Sequence, residues 1–515
     1  MNFASDRVEE RKKSFFKHLD ADELKKRREE SMVELRKKKR FDAIVKRSRI
    51  SADTQNLFNL ESSDVEPILL RAEPQLGNPN LKSQQKLELL INLVVFCNDS
   101  LILKPAIVLL CKLSSLDNKK IIGIISRFDL FQKLSVLLKS EDPVTKFNIS
   151  WIITNLTAAS TDNSIKLASL GIIESLAEIA KEEDKIEHEQ QALWSLSNIA
   201  EENAELRDRV YATNITSHIT RKLFTSQRMD LNILDTMVWL LSNIFKYKPI
   251  PGGMSLIRDF MKLLGNLLPL SHEEILSDTL RGLSNITKQG EYLQEVFNTG
   301  FVPRIINLLQ HDSIKVVSNT LDVMCNLSAG DDVYTKLLLD SKIAENLAPL
   351  MTSEKPFIKK NSLFVLSNIV SSTSAVQTIT SNPIFKLAMN NLIEPDREIR
   401  IETLYVLANA TKYTLNPLSF VDQDIFRKML ELLNYSDPEG IHLVLCVLMG
   451  IFKCARENNA MDVVMKFEEL GGIEQLRRLE AHPNVDIYNK VVEINNELFG
   501  LDMPQNSTGG GFLLK

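Results

Sequence analysis

The sequence predicts an all-α solenoid, a chain of stacked helical repeats, and three observations predict it. The first is a period. With Trp194 as a marker, equivalent positions fall at Ile107, Trp151, Trp194, Trp239, Arg281, Asp322, Phe364, Tyr405 and Cys446, spaced by 44, 43, 45, 42, 41, 42, 41 and 41 residues. The second is an asparagine four residues after each of seven consecutive markers: Asn155, Asn198, Asn243, Asn285, Asn326, Asn368 and Asn409. Cys111 and Gly450 hold that place at the two ends. The third is the punctuation between markers. LASLGIIESLAEIA, FNTGFVPRIINLLQ and FEELGGIEQLRRLE each put glycine before an apolar run, where it reads as a helix break, and strand-like alternation is scarce.

A period of about 40–47 residues with two or three helices per unit is the armadillo/HEAT pattern. The expected fold is therefore all-α: a right-handed superhelical solenoid of about ten armadillo repeats with a long concave face. Taken in order along the chain, residues 1–50 form a basic arm, 51–75 a polar linker with Asp, Glu and Pro, 76–500 the repeats, and 501–515 a flexible tail ending NSTGGGFLLK. The last repeat includes MKFEELGGIEQLRRLEAHPNVDIYNKVVEINNELFG.

Charge divides along the same line. Residues 1–50 hold 17 Lys/Arg against 10 Asp/Glu, which leaves 45 against 57 of the chain's 62 and 67 for the rest. A basic arm joined to an acidic body suggests a charged partner for each part, or each part for the other. The start, MNFASDRVEERKK, is polar and carries no signal-peptide pattern. The longest apolar run, LVLCVLMGIF at 443–452, falls short of the roughly 20 residues that span a bilayer. Cytosol or nucleus is the expected location, with no membrane partner. The cysteines at 97, 111, 325, 446 and 454 include no C-x-x-C pair and read as buried thiols. The histidines are scattered, and no metal-spaced set, P-loop, H-E-x-x-H or G-x-S-x-G is present. Neither enzyme, metal nor cofactor is expected. The acidic body argues against a nucleic-acid partner, since phosphate contacts need a basic face.

Helix geometry sorts the repeat positions. At about 100° per residue, the asparagine lies near 40° from its marker, while the +2 and +5 positions lie near 200° and 140°. The +2 positions are Ile153, Leu196, Leu241, Leu283, Met324, Leu366 and Leu407. The +5 positions are Leu156, Ile199, Ile244, Ile286, Leu327, Ile369 and Ala410. These fill the core, and the tryptophans and asparagines are expected on the opposite, exposed side as a binding surface. A row of asparagines can clamp the N–H and C=O groups of an extended peptide without reading its sequence. Slots between indole faces suit the stem and ammonium of lysine. Carboxylates at the slot ends would select basic side chains: Glu201 and Glu202 after Asn198, Asp331 and Asp332 after Asn326, and Glu402 one turn before Tyr405.

The basic arm, the W-x-x-x-N ladder and the terminal EELGGIEQL together closely resemble importin α (karyopherin α), over nearly the whole chain. The resemblance implies an adaptor that shuttles between cytoplasm and nucleus, binds nuclear localisation signals of cargo proteins, and is carried by importin β. By position, Trp151, Asn155, Gln191, Trp194, Asn198, Trp239 and Asn243 match the family's major signal site. The pocket for its key lysine, normally a glycine carbonyl, a threonine and an aspartate, aligns with Ala159, Ser164 and Glu202. The minor site aligns with Arg281, Asn285, Asp322, Asn326, Phe364, Asn368, Glu402, Tyr405 and Asn409. Phe364 and Tyr405 replace tryptophans there, which implies weaker binding because indole is the strongest cation–π face. The basic residue usual in repeat six is Asp322 here, with Arg281 one repeat earlier.

The arm resembles the importin-β-binding domain, with its charge on Arg11, Lys12, Lys13, Lys25, Lys26, Arg27, Arg28, Arg36, Lys37, Lys38, Lys39 and Arg40. DADELKKRREESMVELRKKKR reads as a helix that Asp20 or Asp22 could cap and that folds on an acidic partner. Lys46, Arg47 and Arg49, interrupted by Ser48, resemble the family's internal mimic of a localisation signal, which competes with cargo until importin β captures the arm. The family's return from the nucleus implies a CAS-type export receptor with Ran-GTP. A generic armadillo scaffold in signalling or adhesion is the alternative; it would need neither the arm nor the ladder.

Overall fold

A computed structural model describes residues 71–73 and 82–499, apart from 116–118, 183–184 and 226–228. The arm at 1–50, the tail at 501–515 and most of the linker lie outside the described residues. All regular elements among the described residues are helices.

The described chain divides along its sequence into two compact units between Glu295 and Val296. The first runs from α1 (Ser83–Phe96) and α2 (Ser100–Ser114) through α3 (Lys119–Ile125), α4 (Phe128–Leu137), α5 (Pro143–Ala159), α6 (Thr161–Ser169), α7 (Ile172–Ile179) and α8 (Ile186–Glu202). It continues with α9 (Ala204–Ala212), α10 (Ile215–Thr225), α11 (Leu231–Ile244), α12 (Gly253–Leu267) and α13 (Glu273–Thr287). The helix α14 (Leu293–Asn298) contains the boundary. The second unit holds α15 (Val302–Asn307), α16 (Ile314–Ser328), α17 (Asp332–Asp340), α18 (Ile343–Leu347), α19 (Pro356–Val370), α20 (Val376–Thr380), α21 (Pro383–Met389) and α22 (Arg397–Tyr413). It ends with α23 (Gln423–Leu432), α24 (Pro438–Glu457), α25 (Asp462–Glu469), α26 (Gly472–Leu479) and α27 (Val485–Phe499).

Each marker sits inside a long helix, and within each unit these helices pack side by side. The order is α2, α5, α8, α11, α13 in the first unit and α16, α19, α22, α24, α27 in the second. The armadillo reading of the period holds. Their starts follow from local chemistry. Asp142 accepts from the Thr145 N–H and Pro143 opens α5, where the missing proline N–H costs nothing. Asp230 and Asp396 cap α11 and α22 in the same way. Gly171 and Gly471 hold φ of 78° and 81° between consecutive short helices, a left-handed conformation that favours glycine.

The core is the one the periodicity predicts. All seven +2 residues and all seven +5 residues are fully buried, from Ile153 and Leu156 to Leu407 and Ala410. α24, at 20 residues, is longer than its ten-residue apolar run suggests, and by length and composition alone it could cross a membrane. It is a core helix: Leu445, Leu448 and Ile451 are fully buried between neighbouring helices.

Polar anchors set how helices of one repeat meet those of the next. Lys222 of α10 grips both oxygens of the fully buried Glu189 of α8, at 2.7 and 2.6 Å. Arg207 of α9, also fully buried, donates to the carbonyls of Ile244, Tyr247 and Pro249, at 3.0, 2.7 and 2.9 Å. One guanidinium thereby satisfies the frayed end of α11 and the loop after it.

Candidate functional site

Each tryptophan of the ladder stands on a marker helix of the first unit: Trp151 on α5, Trp194 on α8 and Trp239 on α11. They are less exposed than the helical wheel predicts. Trp151 and Trp239 are half-buried, and Trp194 is only 7% exposed. Nor are the indoles parallel plates with a slot between each pair. Trp194 and Trp239 meet edge to face, with centroids 6.3 Å apart at 84°. Trp151 meets Phe147, one turn earlier on its own helix, at 5.7 Å and 89°. Aromatic rings prefer such edge contacts because the positive rim of one faces the negative face of the other.

The asparagines depart further from the expected exposed row. Asn155, Asn198 and Asn243 are buried, and Asn198 is fully enclosed. Each turns its amide N–H toward the preceding marker helix. Asn155 donates to Ser114 Oγ at 2.9 Å, Asn198 to the Thr154 carbonyl at 3.2 Å, and Asn243 to the Ser197 carbonyl at 3.0 Å. Asn285 reaches the Ser242 carbonyl at 3.2 Å. In the second unit Asn368 donates to Ser328 Oγ at 3.1 Å and Asn409 to the Ser367 carbonyl at 2.9 Å. The recurring spacing therefore stitches neighbouring repeats. The wheel expected these side chains on an open face; the preceding marker helix covers them instead. The Asn198 Oδ1 is left buried and without a hydrogen-bond partner, a cost of roughly 1–3 kcal/mol for a native fold.

Gln191 also joins the seam. It is buried and donates to Thr154 Oγ1 at 2.6 Å, which in turn meets Ser195 Oγ at 2.6 Å. Of the acids expected at slot ends, Asp331 is spent on capping α17, where it accepts from the Val333 and Tyr334 N–H groups. Asp332 lies in the first turn of that helix.

Glu202 accepts from Thr161 Oγ1 at 2.7 Å. It is the last residue of α8. Tyr247, on the loop held by Arg207, donates its hydroxyl to the carbonyls of Glu201 and Glu202, at 2.6 and 2.8 Å, and Lys246 adds a bond to the Glu201 carbonyl at 2.8 Å. Glu201 itself is buried. Ala159 closes α5 opposite, and Ser164 follows in α6.

In the second unit Phe364 and Tyr405 are half-buried on α19 and α22. The carboxylates around them are mostly engaged. Arg397 bridges Asp437 and Glu439 at 2.9 and 2.7 Å, Tyr405 donates to Glu439 at 3.2 Å, and Lys360 pairs with Glu398 at 2.6 Å. Burial pushes the Glu402 carboxyl up to about 8; Lys360 opposes this, and Glu398 and Glu439 add to it. Arg281, in the first unit, pairs with Asp278 at 3.1 Å and donates to Ser242 Oγ at 2.6 Å, filling the place of an indole. Asp322, on α16, is exposed.

Sequence reasoning missed Thr161, Tyr247 and Arg207. Their roles depend on contacts across repeats about 40 residues apart, which no local pattern displays.

Comparison with known proteins points one way. Residues 11–99 match the importin beta binding domain, and residues 291–329 match the armadillo/beta-catenin-like repeat. The first match runs beyond the arm as far as α1. Importin subunit alpha-1b of Oryza sativa subsp. japonica is 27% identical over 95% of this chain and 92% of its own length. Importin subunit alpha-5 of Arabidopsis thaliana is 24% identical over 92% and 90%. The crystal structure of an engineered protein, 19% identical, covers 80% of this chain and 98% of its own with a TM-score of 0.68, which supports the fold. The resemblance to importin α thus extends from the arm through the repeats.

Proposed function

We propose that this chain, similar to importin α subunits along nearly its whole length, is a nuclear import adaptor. It binds lysine- and arginine-rich localisation signals on the tryptophan face of the first unit and joins them to importin β through the basic arm. The observation that carries this reading is the ladder itself: three indoles on successive marker helices, in a chain whose residues 11–99 match the importin beta binding domain. Indole faces attract cations by about 0.5–2 kcal/mol each. The face around Phe364 and Tyr405 serves as a second, weaker signal site. The protein works by binding rather than catalysis. Shuttling between cytoplasm and nucleus, with return by a CAS-type receptor and Ran-GTP, completes the reading.

The test is fluorescence anisotropy with a labelled lysine-rich peptide in excess nucleic acid. The full chain should bind, and Trp194→Ala with Trp239→Ala should weaken binding by at least about fivefold, given the worth of two cation–π contacts at about 0.5–2 kcal/mol each. Importin β should be captured by the wild type and lost when Arg36, Lys37, Lys38, Lys39 and Arg40 are changed to glutamate. A chain that ignores the peptide is a generic armadillo scaffold instead.

A further inference from the structure

Three marker helices begin alike and a fourth does not. Asp142, Asp230 and Asp396 stand just before α5, α11 and α22 and accept from N–H groups in the first turns of those helices. Asp437 stands in the same place before α24, and its carboxylate makes no such bond. It pairs instead with the preceding marker helix. Arg397, the first residue of α22, donates from Nη2 to Asp437 Oδ1 at 2.9 Å and to Glu439 Oε2 at 2.7 Å. The other oxygen of Glu439 accepts from the Tyr405 hydroxyl at 3.2 Å. One carboxylate thus separates a half-exposed guanidinium from the aromatic marker of the second unit's α22.

We propose that Arg397 sets the selectivity of the face around Phe364 and Tyr405: it is a built-in cation that offsets the acids a basic peptide would meet there, and so holds this face to weak binding. The inference rests on the reading of that face as a second site for basic peptides. Asp437, Glu439 and Arg397 together carry one negative charge, where the two acids alone would carry two. Lys360 offsets Glu398 in the same way, at 2.6 Å. Both acids keep lone pairs to offer, so the obstacle is charge and not a lack of acceptors. A peptide cation at Tyr405 comes within roughly 6 Å of the guanidinium, and like charges at that distance cost at least about threefold in affinity even with the dielectric of bulk water. An arginine stays charged at every pH the fold survives, so this offset does not titrate away.

The experiment titrates the full chain at pH 7 and low salt with two fluorescent lysine-rich peptides, one carrying a single basic cluster and one carrying two. The ratio of their affinities reads the second face. Arg397→Gln should raise that ratio at least about threefold, and the gain should shrink as salt is added. Arg397→Lys keeps the charge and should stay near wild type. Glu439→Gln tests the same balance in the other direction and should lower the ratio, while Arg397→Gln with Glu439→Gln restores the local charge and should return it to the wild-type value. Freed from Arg397, Asp437 can cap α24, so Arg397→Gln should fold. The proposal is overturned if Arg397→Gln leaves the ratio unchanged or lowers it, the result expected if Arg397 only positions Glu439 for the peptide. It is also overturned if Arg397→Lys gains as much as Arg397→Gln. Should the wild type bind neither peptide, the reading of the chain as a binder of basic peptides fails, and this inference with it; if both bind and the ratio ignores Arg397, the inference alone fails.

Discussion

Glu202 and Glu402 are both glutamates on helices that carry an aromatic marker, yet their surroundings give them different chemistry. Glu202 is partly exposed and accepts a hydrogen bond from a threonine. Glu402 is half-buried near Glu398 and Glu439, and burial above all lifts its carboxyl to about 8. At pH 7 it is mostly protonated and offers no charge to a lysine. A bound ammonium favours the ionised form, so affinity at this second site should rise as pH increases toward 8 and level off beyond it. Titrating a two-cluster basic peptide from pH 6 to 9 checks this, with Glu402→Gln as the control that removes the slope. A slope surviving in that variant would assign the effect elsewhere. The stability sign is the reverse. Between the ordinary glutamate value near 4.5 and about 8 the folded chain holds the extra proton, so this group's contribution falls as pH rises through that window.

At the scale of elements, what holds one repeat against the next is polar as well as apolar. Arg207 is the clearest case, with a buried guanidinium satisfying the carbonyls of Ile244 at the end of α11 and of Tyr247 and Pro249 in the loop after it. Arg207→Met keeps much of the volume but strips those carbonyls of their donor. With roughly 1–3 kcal/mol for each buried group left unpaired, the variant should lose on the order of 3 kcal/mol. Urea unfolding reads this as a lower midpoint, and a midpoint within error of wild type would refute it. Because Tyr247 rides on the same loop and holds the end of α8, Arg207→Met should also weaken basic-peptide binding, through the position of Glu202. This layer was not legible in the sequence. Leu196 and Ile199 were, since a 3.6-residue period states which face is apolar. Asn198 was misread: expected on an open face, it is fully enclosed, because its partner, the Thr154 carbonyl, lies on the neighbouring marker helix 44 residues away. Thr161 and Glu202 lie 41 residues apart, and only the stacking of two repeats brings them together.

At the scale of the whole molecule, the governing feature is the split between a basic arm and an acidic body. The repeats were readable because a marker recurring every 41–45 residues survives even where tryptophan gives way to Arg281, Asp322, Phe364 or Tyr405. The arm carries the other half of the argument in its composition. Lys46, Arg47 and Arg49 offer the same chemistry as a basic cargo peptide, tethered to the chain that would bind it. A tethered competitor acts at an effective concentration near millimolar, so even a segment interrupted by Ser48 can occupy an indole face. Removing residues 1–50 should therefore tighten binding of a lysine-rich peptide. Because the competition is between like charges for one acidic surface, added salt should weaken the arm and the peptide together. The ratio of the two affinities, truncated over full-length, should then shrink as salt rises. Replacing only Lys46, Arg47 and Arg49 with alanine should reproduce most of the gain if the mimic is the competitor. Equal affinities for the full and truncated chains at low salt would show that the arm leaves the tryptophan face open, and that importin β captures it without releasing anything.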